Sequence, residues 1–87
     1  MEFEKHVKVR QEKFGAVIFE TLTEKIFVTN ETGAEILRLL EEGKELKEVI
    51  AALAKSYNGD PAIIKEDVDE FISMLKDKGI IEREEQK

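Results

Sequence analysis

The chain has no cysteine and no tryptophan, and only one proline and one histidine among its 87 residues. Without cysteine there can be no disulfide staple and no thiolate metal site, so the fold must stand on packing and capping alone. A single histidine, His6, leaves no second imidazole to share a metal and no base at a recognisable spacing from Ser56 or Ser73. No run approaches the roughly 20 apolar residues that a spanning helix needs. The N-terminal MEFEKHVKVR holds no apolar segment of signal-peptide length. The expectation is a soluble, cytoplasmic protein with no membrane partner. Carboxylates are abundant (Glu41-Glu42, Asp67 with Glu70, Glu84-Glu85), but at this density on helices they read as solvated faces, since a catalytic pair needs a cleft that perturbs it. The glycines are dispersed, as turns and caps are, and form no phosphate-cradling loop. No catalytic residues, no metal and no cofactor are expected, so function must come from a surface.

What is present is a compact pattern with no repeat, linker or low-complexity tract. One domain over residues 1–87 is expected, ordered from 6 to 81 and frayed from 82 to 87. Val7 to Gln11 alternates apolar and charged residues, the period of a half-buried strand. Ala16 to Glu20 and Lys25 to Thr29 are β-branched and aromatic, so strands again. The short links Glu12–Gly15 and Thr21–Glu24 join the three into an antiparallel meander, whose third strand is left at an edge. Val17 and Phe19 point to one face and Ala16 and Ile18 to the other, with Ile26 and Val28 opposed to Phe27. The sheet is therefore apolar on both sides. That predicts either a helix curling over the second face or a surface kept for a partner.

From Asn30 the period changes to that of helices. Asn30 is an N-cap candidate, with Thr32 and Glu35 offering a competing capping box. The first helix runs to about Glu42, buries Ile36, Leu37 and Leu40, and stops at Gly43. Gly33 in its first turn costs helix propensity and is expected to permit close packing. A second helix, Glu45 to Tyr57, carries Leu46, Val49, Ile50, Leu53 and Tyr57 on one face. Asn58-Gly59 closes it. Asp60-Pro61 then opens a third helix with an N-cap and a proline at N1. Its stripe is Ile64, Val68, Phe71 and Leu75. Ile63, Asp67, Met74 and Lys78 flank the stripe on one shoulder; Lys65, Asp69, Ile72 and Lys76 flank it on the other. Ile80-Ile81 are expected to tuck back onto the core. The fold class is α+β, three strands followed by three helices (βββααα).

Charge is unevenly spread. Acids and bases cancel from Met1 to Asn30, and the whole net charge of −6 lies from Glu31 onward. A nucleic-acid binder needs a basic face to meet phosphates. This helical half would repel them, and a neutral or basic partner suits it better.

The stretch VRQEKFGAVIFETLTEKIFVTNETGAEILRLLEEG, the helix LKEVIAALAKSYNGD, and then P-x-x-I-x-x-D-V-x-x-F-I-x-x-L-x-x-K-G-I-I together resemble the PqqD-like family, the RiPP recognition elements of ribosomal peptide natural-product pathways. The resemblance covers about Val7 to Ile81. Its most telling parts are the strand running into Asn30-Glu31-Thr32, the Ala34-Glu35-Ile36-Leu37 that follows, and the D-V-x-x-F-I of the third helix. The lack of tryptophan in the strand region departs from the pyrroloquinoline quinone pathway member, so the resemblance is to the broad family. It implies a winged-helix-like fold and a non-catalytic domain that binds the leader segment of a precursor peptide. The domain then presents that peptide to a maturation enzyme, often of the radical SAM type. The implied site is the third strand, Lys25, Ile26, Phe27, Val28 and Thr29, with Ile64, Lys65, Val68, Asp69, Ile72 and Lys76 of the third helix. Lys25 and Lys65 would meet acidic leader residues and Asp69 basic ones. Which shoulder of the third helix faces the groove is left open by the sequence. The expected assembly is a monomer or weak dimer. Two other readings compete: a winged-helix DNA-binding regulator, which lacks the basic footprint, and a structural domain that pairs with itself through the free edge.

Overall fold

The computed structural model describes residues 2–82. Three strands, β1 (Val7–Glu12), β2 (Gly15–Glu20) and β3 (Lys25–Thr29), are followed by helices α1 (Glu31–Glu41), α2 (Leu46–Tyr57) and α3 (Pro61–Asp77). The sheet is antiparallel in the order β1-β2-β3, with Ile18 of the central strand opposite both Val9 and Phe27. That register puts Val7, Val9, Ala16, Ile18 and Phe27 on one face, all of them in or against the core. The other face carries Arg10, Val17, Phe19, Ile26 and Val28, and no helix among the described residues covers it: Val17 at its centre is buried by its neighbours, but Ile26 is 62% and Val28 66% exposed. Of the two outcomes expected for the second apolar face, the uncovered one is realised. The Arg10 guanidinium lies over Phe19 there, 5.3 Å from its ring centre.

Each helix begins where its polar residues satisfy free amides. Asn30 Oδ1 accepts from Gly33 N–H at 2.9 Å, so Asn30 and not Thr32 caps α1. Glu48 Oε1 accepts the Glu45 N–H at 2.8 Å at the start of α2. Asp60 Oδ1 accepts from Ala62 N–H at 3.0 Å, with Pro61 in the first turn of α3. Asn58, with φ of 52°, is the left-handed cap that ends α2.

Helix α1 lies against β2 on one side and the other helices on the other. It therefore buries Ala34 and Leu39 beyond the expected Ile36, Leu37 and Leu40. Val49 and Leu53 of α2, and Val68, Ile72 and Leu75 of α3, complete the core. Ile80 and Ile81 are both buried, as expected of the segment after α3. The strand-like N-terminus seals them in: Phe3 bridges Ile81, Glu4 N–H donates to Ile80 O at 3.0 Å, and Glu82 N–H donates to Glu2 O at 2.8 Å. Of the segment expected to fray, only Glu82 is among the described residues, and it is hydrogen-bonded; 83–87 lie outside them.

Two points hold the sheet's ends. At one, Gly15 lies so close to the end of β3 that a Cβ there would stand 2.0 Å from Thr29 O and 2.7 Å from Asn30 C. At the other, Glu20 is buried, accepting hydrogen bonds from the Thr23 hydroxyl and from Thr23 N–H (2.9 Å), with His6 Nε2 2.9 Å from its other oxygen.

Gly15→Ala, whose clash is with backbone and cannot be relieved by a rotamer, is expected to cost about 3 kcal/mol or more in urea unfolding. Hydrogen bonding from the Thr23 hydroxyl outweighs burial and holds the Glu20 carboxyl below its ordinary value of 4.5. A carboxyl lowered on folding contributes stability above its unfolded pKa and loses it as pH falls through the folded one. Glu20→Gln should therefore be less stable than wild type at neutral pH, and the gap should close as pH drops below about 4.5, measured as denaturant midpoints across pH.

Candidate functional site

The free edge of β3 is an open line of backbone beside a recess. Strand alternation fixes which groups it presents. Thr21 N–H donates to His6 O at 2.8 Å, continuing the register that pairs Val7 with Glu20. In an antiparallel ladder hydrogen-bonded and non-hydrogen-bonded pairs alternate. The odd residues of β2 therefore bond to β1, and Ala16, Ile18 and Glu20 bond to β3 through Thr29, Phe27 and Lys25. What remains pointing outward is the N–H and C=O of Ile26 and Val28. Among the described residues no strand pairs with them. Their side chains lie on the uncovered face, while Lys25, Phe27 and Thr29 turn to the helix side.

On that side the neighbour is one edge of α3. Lys78 Nζ, just past the end of the helix, sits over the Phe27 ring at 5.2 Å. At the other end, Thr29, Gly33 and Phe71 converge: a Cβ on Gly33 would stand 1.8 Å from Thr29 Oγ1 and 3.1 Å from Phe71 Cε1. Phe71 and Lys78 fall on one line of the helix with Asp67 and Met74. A groove thus runs between β3 and this line, with Phe27, Phe71 and Met74 as its apolar parts. Its upper end opens into a recess of about 280 Å³ lined by Asn30, Thr32, Gly33, Ile36, Asp67 and Phe71. A second recess of about 210 Å³ shares Thr32, Ile36 and Asp67 with it and reaches Ile64 and Tyr57.

The residues expected from the sequence divide between this groove and the rest of the molecule. Lys25, Ile26, Phe27, Val28 and Thr29 form the edge strand. Ile64 is half-buried in the second recess. Val68 (1% exposed) and Ile72 (4%) are core residues beneath α3 and present no surface to a ligand. Lys65, Asp69 and Lys76 lie on the side of α3 away from β3. Lys65 and Asp69 pair with each other at 2.7 Å, and that hydrogen bond raises the Lys65 pKa above its ordinary value. The groove wall is instead the shoulder bearing Asp67, Met74 and Lys78, together with Phe71 from the stripe. Periodicity names both shoulders; only the way α3 returns to the sheet selects one.

An α+β domain with an open sheet edge beside a helix-walled groove is a class of peptide-docking architecture. The profile of the family described as Coenzyme PQQ synthesis protein D (PqqD) matches residues 15–81. The chain belongs to the PqqD family. It superposes on TbiB1, solved in complex with the TbiA(beta) leader peptide, with a TM-score of 0.91 and 26% identity over 99% of this chain and 100% of that one. A lasso peptide synthetase B1 complexed with its leader peptide shares the fold, with a TM-score of 0.83 and 22% identity over 91% of this chain and 93% of the other. No curated protein matches the chain.

Ile72→Ala should lower stability by about 2–5 kcal/mol, the usual cost of emptying a buried aliphatic site. Lys78→Ala, at the groove lip, should lower it by less than about 1 kcal/mol. Unfolding in urea checks both.

Proposed function

We propose that this chain is a non-catalytic adaptor that binds the leader segment of a ribosomally made precursor peptide and presents it to a maturation enzyme. The observation that carries this reading is the pair of outward backbone groups at Ile26 and Val28 beside an apolar groove. A leader segment adds as a fourth strand, bonded through those two residues. Its alternate side chains enter the groove against Phe27, Phe71 and Met74, and the others extend the uncovered face. Backbone pairing supplies affinity with little demand on sequence, and the inward side chains supply selectivity. Membership of the PqqD family and the likeness to TbiB1, itself solved with a leader peptide, support the reading.

In this reading the site is Lys25–Thr29 with Asp67, Phe71, Met74 and Lys78, while Val68 and Ile72 hold the wall in place from behind. The second partner is the maturation enzyme, for which the family resemblance favours the radical SAM class. The working form is a monomer with its edge free, in the cytoplasm where precursor peptides are made. No helix among the described residues is long and apolar enough to cross a membrane. A DNA-binding role is disfavoured because α3 carries more acids than bases and no arginine.

The test is titration of a labelled leader peptide from the co-encoded precursor, with a leader-truncated control. Binding should shift the amide signals of Ile26, Val28 and the Phe71–Lys78 edge. Val28→Pro removes an outward N–H and leaves the ladder to β2 intact, so the fold should survive while affinity falls at least about tenfold. Phe27→Pro, which breaks a bond to β2, should instead unfold the sheet. Undiminished binding by a folded Val28→Pro variant would place the site elsewhere.

A further inference from the structure

The groove is basic from Phe27 toward the start of β3 and acidic at its other end. At the end nearest the start of β3 stand two ammonium groups, Lys25 on the helix-facing side of the strand and Lys78 over Phe27. Neither has an ion-pair partner among the described residues. At the other end Asp67 lines the recess beside Asn30, Gly33 and Phe71, and its carboxylate has no ion pair among the described residues. Glu70 and Asp77, both exposed, line a shallow recess on the outer side of α3 together with Asp69, Met74 and Lys78.

From this arrangement we infer that the groove reads the order of charges in the bound strand: a basic residue, then an apolar one, then an acidic one, at alternate positions from the peptide's N-terminus. The inference rests on the leader-binding reading above and specifies its ligand. The outward groups of Ile26 and Val28 set the register. Peptide residues opposite Thr29, Phe27 and Lys25 turn their side chains into the groove, on the same face as those residues. Antiparallel addition is the more stable pairing per residue. It places the first of the three beside Thr29, within reach of Asp67. The middle residue lies over Phe27, Phe71 and Met74. The last, about 13 Å from the first at the strand rise, lies opposite Lys25, with Lys78 between it and the middle residue. An inserted strand of the opposite charge order would set like charges together at both ends of the groove.

Panning a random peptide display library on the full chain tests this whatever the sequence of the natural leader. Enriched peptides are synthesised and titrated into isotope-labelled wild type and into the variant Asp67→Lys/Lys25→Glu/Lys78→Glu. Enriched peptides should carry the basic–apolar–acidic order at alternate positions and shift the Ile26 and Val28 amides. Exchanging their two charges should weaken binding about tenfold at low salt, with the difference shrinking as salt rises. The charge-reversed variant should prefer the exchanged peptides. The single variant Asp67→Asn, which introduces no new charge, should lose only the preference for the basic residue and serves if the triple variant does not fold. Peptides that shift the same amides with no charge order, or with the opposite one, overturn this inference and leave strand addition at β3 standing. Failure of every peptide, the co-encoded leader included, to perturb β3 overturns both.

Discussion

The joint between β3 and α1 is gripped from two sides, and the rest of the molecule depends on that grip. Gly15 presses against the carbonyl of Thr29 and the backbone of Asn30, and Gly33 presses against the Thr29 side chain. Between these contacts Asn30 ends the strand and caps the helix within a single residue. The chain therefore cannot drift before α1 begins, and α1 is driven directly under the central strand. Burial follows from that placement. A helix held between a sheet and two other helices has little solvent-facing surface, which is why Ala34 and Leu39 are buried along with the expected stripe. With α1 filling the space beneath β2, α3 can approach β3 only along one edge. The groove is what remains between them.

The open edge itself is a compromise. Unpaired strand edges invite aggregation, and proteins blunt them by keeping them short or charged. Here β3 is five residues long and begins with a lysine, yet its two outward-facing residues carry exposed apolar side chains. Only Ile26 and Val28 expose unpaired ladder groups within the strand. A ligand strand can gain a few backbone hydrogen bonds, each with a modest net contribution of about 1 kcal/mol. Such a number suits a partner that must be held and later released. In the proposed binding mode selectivity comes from the groove side, where Phe27 supplies apolar surface and the lysines and Asp67 supply charge.

Much of the fold was legible because local signals agreed with one another. The third strand spans Lys25–Thr29 in both the sequence pattern and the structure, and Asn30 and Asp60 cap as their chemistry suggests. The meander order follows from two short links. Other features depend on long-range geometry that no window of sequence contains. Glu20 looks like an ordinary strand-end acid, and its bond from Thr23 in the following turn is local, but its burial beside His6 joins two distant parts of the chain. The pairing of Phe3 with Ile81 joins opposite ends of the described chain and has no local signature. The shoulder of α3 that faces β3 depends on the hand with which the helix crosses back. Lys65 and Asp69 satisfy each other on the far side, an i,i+4 pairing whose spacing alone could have suggested that they were not reserved for a ligand.

The division of α3 into two kinds of residue bears on how such a module can change partners. Val68, Ile72 and Leu75 are almost fully buried and fix where the helix lies. Asp67, Phe71, Met74 and Lys78 face the groove, and of these only Phe71 and Met74 also pack against the core. In the proposed binding mode, substitution at Asp67 or Lys78 would alter what the groove prefers without moving its wall. Substitution at Val68 or Ile72 moves the wall and costs the fold. Three quarters of the positions differ from TbiB1, yet the backbones superpose with a TM-score of 0.91. A backbone edge that asks little of its ligand, set beside a groove with exchangeable charged ends, allows a single fold to serve different peptides while its core stays under one set of packing constraints.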